Sequence, residues 1–214
     1  MITSFSHNDK LHTIFTEYDD HIFKVIVKHK TFYEIKLLNK IRSFKLTGAV
    51  IDVGANIGNH TIHFSTQCKF SNVHSFEMNS ILFDILQKNI DLNKCHNVTC
   101  HNLAVADKNG LVGSSELNLC NTGSTHIVPD GNIKQIKLDD IDYQDRVSLI
   151  KIDVEGHELK VLNGAKNLIL SNKPILVVEC EDSFKEVNSL LSELGYITDH
   201  VNYASTPTYI WRPK

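Results

Sequence analysis

Two groups of residues have the types and spacing to do chemistry. The first is Asp52, Gly54 and Gly58, inside Val50-Ile-Asp52-Val-Gly54-Ala-Asn56-Ile-Gly58-Asn59, a Gly-rich turn between an apolar run and a helical pattern. Glycines there let the backbone approach a ligand, and the free N–H groups of a helix start favour an anionic group such as a carboxylate or phosphate. Glu77 ends the next apolar run, where an acid can accept both hydroxyls of a ribose. Acid, glycine loop and distal acid describe a nucleoside site, although Glu77 beside Asn79 also reads as an ordinary helix start. The two glycines stand four apart, so the G-x-G-x-x-G of hydride-transferring dinucleotide enzymes is not met.

The second group is Asp153, Glu155, His157 and Glu158, which follow Leu149-Ile-Lys-Ile152, together with Glu179 at the end of Ile175-Leu-Val-Val. Strand alternation puts Asp153 and Glu155 on one side, with His157 at the start of a helix. Such a set can orient a hydroxyl and take its proton. The same acids could instead bond loop amides or complement a helix dipole, but an acid ending a buried run is expensive unless paired or used. Among the twelve histidines, His60 and His63 are three apart, yet no further ligand has metal spacing and H-E-x-x-H is absent. No metal is therefore expected, and those histidines read as core or surface residues. Asp153 and Glu179 are the pair that could hold a divalent cation if one were used.

These residues need a scaffold that brings strand ends together. Residues 1–20 have no clear period and read as an arm; Ile22–Val27 reads as a strand, and Thr31-Phe-Tyr33-Glu34 as a capping box opening a helix through Ile35, Leu38 and Ile41. Then short apolar runs at 49–53, 73–76, 98–105, 149–154 and 175–178 alternate with helical patterns at 58–67, 80–92, 157–170 and 184–194. A turn-rich stretch, 108–133, interrupts them. That alternation predicts an α/β fold: a doubly wound, mostly parallel seven-stranded sheet with helices on both faces. Only Asn202–Pro207 separates the last two strand patterns, 196–201 and 208–211, which should make the last strand antiparallel. The chain of 214 residues is expected to be one domain, 1–214, with a strand and helix extension at 1–47 and a Rossmann-like core at 48–214.

Composition narrows the function. Apolar residues make up 42% and charged residues 22%, which excludes disordered and fibrous classes. A formal net charge of -3 makes nucleic acid a poor partner. Five scattered cysteines signal neither a disulfide framework nor a zinc knuckle. With no export signal or membrane span in the pattern, a cytoplasmic location is expected.

IDVGANIGNHT, HSFEMN, NLAVAD, LIKIDVEGHEL and PILVVECE together resemble the FkbM family of S-adenosylmethionine-dependent methyltransferases over about residues 30–200. The glycine loop is shared with most class I methyltransferases, whereas IKIDVEG is characteristic of this family. The resemblance implies the class I methyltransferase fold and S-adenosylmethionine as cofactor. It places Asp52, Gly54, Ala55, Asn56, Gly58 and Asn59 around the methionine part, Glu77 and Met78 at the ribose, Asn102 and Ala104 near adenine, and Asp153 beside the donor. Met78 replaces the proline common after the ribose acid. The resemblance also implies that Tyr33, Asn121, Gly123 and His126 face the acceptor, the 121–126 loop closing over the site, and that Glu179 is a family acid. Turn chemistry would equally account for Asn121 and Gly123.

The expected function is transfer of a methyl group to a hydroxyl of a sugar, such as a deoxyhexose of a glycan, or a related small molecule. Asp153, Glu155, His157 and Glu179 are the candidate catalytic residues. Two alternatives remain at this point: a silent nucleoside-binding module in a glycan-processing assembly, and a nucleotide-dependent oxidoreductase.

Overall fold

The computed structural model describes residues 1–214. The expected arm at 1–20 is instead a hairpin of β1 (Ile2–His7) and β2 (Lys10–Phe15), paired without a break from Ile2↔Phe15 to His7↔Lys10. Asn8 and Asp9 turn it with φ of 47° and 62°, the doubly positive geometry that suits a two-residue hairpin. Its alternation is hidden in the sequence because two inward positions, Thr3 and His12, are polar.

The strand expected at Ile22–Val27 is a helix, α1 (His21–His29). The buried Asp20 caps it by accepting from the Phe23 amide at 2.8 Å, and Phe23 and Ile26 turn inward at helical spacing. A cap and an apolar face outweigh β-branched composition. Helix α2 (Ile35–Ser43) buries Leu37, Leu38 and Ile41, but no capping box forms: Glu34 takes the cap position with φ 55° and gives its side chain elsewhere.

β3 (Thr47–Val53), α3 (Asn59–Gln67), β4 (Lys69–Phe76), α4 (Ser80–Leu92) and β5 (Val98–His101) follow as expected. The run 98–105 then divides, because β6 (Ala104–Val105) leaves the main sheet. It joins β7 (Gly110–Ser114) and β8 (Ile127–Ile136) in a small sheet of order β6-β8-β7, within the stretch that reads as turns. After β9 (Val147–Ile152), the single helix expected at 157–170 is two, α5 (Glu158–Asn163) and α6 (Lys166–Asn172). They break at Gly164, where a Cβ would lie 2.0 Å from the Ala106 carbonyl oxygen. β10 (Ile175–Glu179), α7 (Phe184–Glu193), β11 (Tyr196–Thr198) and β12 (Thr208–Pro213) complete the chain.

The main sheet has seven strands in the order β11-β12-β10-β9-β3-β4-β5. β12 runs antiparallel to both neighbours and the other pairings are parallel, so the reversed last strand lies inside the sheet rather than at its edge. Alternate residues of one strand feed opposite layers. Val50, Leu149, Val177 and Ile210 pack with the hairpin and α1 to α4, while Ile51, Ile150, Val178 and Trp211 pack with α5 to α7. The order reverses between β3 and β9, and an open α/β sheet binds ligands at the carboxyl ends beside such a switch.

Asp20 also accepts from the Thr122 hydroxyl at 2.6 Å, and the His21 amide donates to the Cys120 carbonyl at 3.1 Å. These bonds hold the 118–125 loop against the start of α1. Asp20→Ala is therefore expected to lower stability by ~1–2 kcal/mol, the range for a lost helix cap, in urea unfolding.

Candidate active site

A cleft of about 270 Å³ opens at this switch, near the lower end of the ~300–1,000 Å³ common for small-molecule sites. One wall is the loop after β3. Gly54 adopts φ 79°, and a Cβ on it would come within 1.8 Å of the Asp153 carbonyl oxygen. Gly58 adopts φ 90°, with Leu86 2.7 Å from where its Cβ would stand. Both are glycine for conformation and for space.

The amides of Gly54 to Gly58 are used within the fold, which leaves the free N–H groups expected at the helix start to Asn59, His60 and Thr61 in the first turn of α3. Gly54 and Ala55 donate to the Phe76 carbonyl, Asn56 to Glu77, Ile57 to the Asn56 side chain and Gly58 to the Ala55 carbonyl. Close approach is what the loop supplies.

Glu77 is buried. Its Oε2 accepts from the Asn56 amide at 2.8 Å and its Oε1 from the Asn79 amide at 2.9 Å, while Asn79 caps α4. Each oxygen keeps a further lone pair. Burial outweighs the two amide bonds and pushes Glu77 up to about 7. A ligand that donates hydroxyls would relieve that strain, so the residue fits a ribose. Met78, Leu103, Ala104 and Val105 add an apolar wall suited to a nucleobase. Asn102 does not line the cleft. Its amide donates to the carbonyls of Glu77 and Met78 at 2.8 and 3.2 Å, fixing the segment that carries the acid.

Asp52 and Gly58 also lie outside the lining, behind it. Asp52 is fully buried, accepts from Thr61 at 2.7 Å and faces Lys151 Nζ at 3.3 Å. Lys151 reaches Asp153 at 3.1 Å and the Gly54 carbonyl at 3.0 Å, so one buried ammonium joins the glycine loop to the second acid group. Burial alone would raise Asp153, but Lys151 outweighs it and holds this carboxyl well below the usual range.

Asp153, Glu155 and Glu179 converge, with one carboxylate oxygen of each within 4.8 Å of the others, a spacing that a shared proton or a divalent cation can bridge. Burial, then Asp153, push Glu179 far above the carboxylate range; burial, then Asp153, push Glu155 up to about 7. Backbone strain collects here: Glu34, Asn56 and Glu155 all line the cleft, and all have positive φ without being glycine.

The remaining expected residues divide. Ala55, Asn59, Tyr33, Asn121 and Gly123 line the cleft, although the Asn59 side chain is used on the Tyr33 backbone at 3.0 and 3.1 Å. His126 and His157 do not line it. His126 is exposed and faces Ser115 and Ser124, while His157 precedes α5 with Nε2 3.3 Å from Lys160. Lys151, the one polar residue within the buried run Val147–Ile152 apart from Ser148, lines the cleft without a sequence signal, as do Ser205 and Thr206. Glu34, which reads as part of a capping box, and His60, which reads as a core or surface histidine, line it too.

The pattern of the methyltransferase FkbM domain matches residues 52–198. The chain belongs to the FkbM methyltransferase family. The cofactor of that family is S-adenosylmethionine, which the Glu77 side of the cleft fits. Hexuronic acid methyltransferase AglP of Haloferax volcanii is 32% identical over 154 residues, covering 69% of this chain and 63% of that protein. The crystal structure of methyltransferase FkbM from Methylobacillus flagellatus aligns with a TM-score of 0.58 at 25% identity, over 78% of this chain and 44% of that one. This FkbM chain thus spans less than two thirds of either relative. Precorrin-6y C5,15-methyltransferase from Geobacter metallireducens shares the fold, with a TM-score of 0.51 at 16% identity over 83% of this chain and 85% of that one. No helix of the FkbM chain is long and apolar enough to cross a membrane.

Proposed function

We propose that the chain transfers the methyl group of S-adenosylmethionine to a hydroxyl of a sugar, the whole of 1–214 acting as one methyltransferase domain. The observation that carries this reading is the division of one cleft. A buried carboxylate with spare lone pairs and an apolar wall lie on one side, and three converging carboxylates on the other. The name of the Haloferax relative supports a sugar acceptor, and a neutral deoxyhexose is the best first candidate.

When bound, S-adenosylmethionine supplies a methyl group on a positively charged sulfur. Glu77 accepts the ribose hydroxyls, and the 54–58 loop allows the close approach. Asp153, Glu155 and Glu179 face the acceptor and orient its hydroxyls for in-line attack, which contributes through proximity. Glu179, holding its proton, donates to an acceptor oxygen, while the other two accept. Tyr33, Asn121 and Gly123 form the rim. A net charge of -3 and an acid-lined cleft favour a partner other than nucleic acid. Five cysteines, none in a disulfide, support a cytoplasmic setting.

Calorimetric titration with S-adenosylhomocysteine tests the donor site, with NAD as comparator. Micromolar binding of the first and none of the second is expected. The reverse preference would replace this reading with an oxidoreductase, and no binding of either would leave only the fold.

A further inference from the structure

His60 and Glu34 form a second polar device in the cleft, apart from the three converging acids. His60, in the first turn of α3, is 7% exposed and lines the cleft. Its Nε2 stands 3.3 Å from Glu34 Oε2, both side chains being almost wholly buried. The other oxygen of Glu34 accepts from the Ser205 amide at 3.2 Å and the Ser205 hydroxyl at 3.1 Å, and that hydroxyl is 2.7 Å from the Tyr33 hydroxyl. The start of α2, α3 and the 199–207 loop are thus joined through one carboxylate. Glu34 is held there by a backbone with φ 55° and ψ 38°, a strained conformation that a mere surface contact between helices would not need.

We propose that His60 accepts the proton of the acceptor hydroxyl and that Glu34 is its positioning residue, an inference that rests on the methyl-transfer reading above. Two of the three converging acids are poorly suited to this step, since Asp153 is committed to Lys151 and Glu179 lies against Asp153, and Glu155 is the competing base that the test below separates. An imidazole backed by a carboxylate takes a proton readily, because the carboxylate fixes the ring and stabilises the imidazolium that forms. The step balances: the acceptor oxygen bonds to the methyl carbon, and the carbon–sulfur bond breaks with its electron pair passing to sulfur. The hydroxyl proton passes to His60. The charge lost at sulfur thereby reappears as an imidazolium beside Glu34. The charged or titratable groups that act on His60 and its partner Glu34 are Tyr33 before α2, His63 from α3, and Lys151 and Asp153 from β9 and its end.

The test compares wild type with His60→Asn, Glu34→Gln and Glu155→Gln, using S-adenosylmethionine and methyl α-L-rhamnopyranoside as the probe acceptor. S-adenosylhomocysteine affinity is measured for each by calorimetry. Expected is a loss of ~10²-fold or more in kcat for His60→Asn, the range for a lost general base, with S-adenosylhomocysteine affinity kept within about threefold. Glu34→Gln should lower kcat by ~10-fold or more while leaving the acceptor KM and the S-adenosylhomocysteine affinity within about threefold, a split that a purely structural brace would not give. A His60→Asn kcat within about threefold of wild type overturns the proposal, as does a Glu155→Gln variant that loses as much kcat as His60→Asn. Failure of the underlying donor site shows separately, as absent S-adenosylhomocysteine binding in wild type.

Discussion

Replacing Lys151 by Met is expected to cost ~3–5 kcal/mol of folding stability. Lys151 sits on β9 directly opposite Asp52 on β3 and is 4% exposed. Its ammonium contacts Asp52, Asp153 and the Gly54 carbonyl. Methionine fills the volume but leaves the fully buried Asp52 carboxylate and the Gly54 carbonyl without a cation, with Asp153 unpaired at the cleft wall, and an uncompensated buried charge is costlier than the original pair was stabilising. Urea unfolding at pH 7 measures the loss. The Asp52→Asn, Lys151→Met, Asp153→Asn triple variant should recover most of it, since it removes the stranded charges as well. A single variant within about 1 kcal/mol of wild type would show that the ammonium is not the keystone of this arrangement.

The same contacts fix the acid dependence. Because the Asp153 carboxyl is held low in the folded chain, its contribution to stability is present above about pH 4 and is lost as pH falls toward about 2. The stability difference between wild type and Lys151→Met should therefore shrink across that window. A difference that stays constant from about pH 6 to about pH 2 would contradict the assignment.

Replacing Glu77 by Ala is expected to weaken S-adenosylhomocysteine binding by ~100-fold or more. Two hydroxyl bonds to a charged acceptor at ~1.5–3 kcal/mol each set the scale. The change also orphans the amides of Asn56 and Asn79, so the 54–58 loop loses its anchor. Glu77→Gln, which keeps one acceptor, should fall between. Burial holds Glu77 up to about 7 without ligand, so its contribution to stability is present below about pH 4.5 and declines as pH rises through about 7. Hydroxyls that stabilise its anion should then release protons on binding near neutrality, visible as a binding enthalpy that varies with the ionisation enthalpy of the buffer. Binding by Glu77→Ala within about threefold of wild type would move the ribose elsewhere in the cleft.

Much of the scaffold is legible because periodicity is a local signal. The runs at 49–53, 73–76, 149–152 and 175–178 are largely buried on both faces, and nearly continuous apolar sequence marks such strands, the pattern at 149–154 outrunning its strand by Asp153 and Val154. The short 202–207 connection likewise implied the reversed β12. Local pattern misleads where polar residues face inward or where a cap competes with composition. His12 and Thr3 hid the hairpin, Asp20 turned an apparent strand into α1, and the close approach of Gly164 to Ala106 divided one helical pattern into two. Gly54, Asn56, Glu77, Asp153 and Glu155, each carried by a local motif, line the cleft, whereas His126 and His157 do not line it although they stand close in sequence to residues that do.

The glycine loop, the distal acid and the motifs of the FkbM family are each legible in a short segment whose meaning does not depend on distant residues, and the class of fold is legible in the alternation of such segments along the chain. It takes the folded chain to show that Lys151 lies between Asp52 and Asp153, that the 54–58 amides are used internally, and that the Glu34 side chain meets His60 rather than capping a helix. These are pairings between segments far apart in the chain. Which partner a buried charge finds depends on strand register and helix placement, and no local pattern records either.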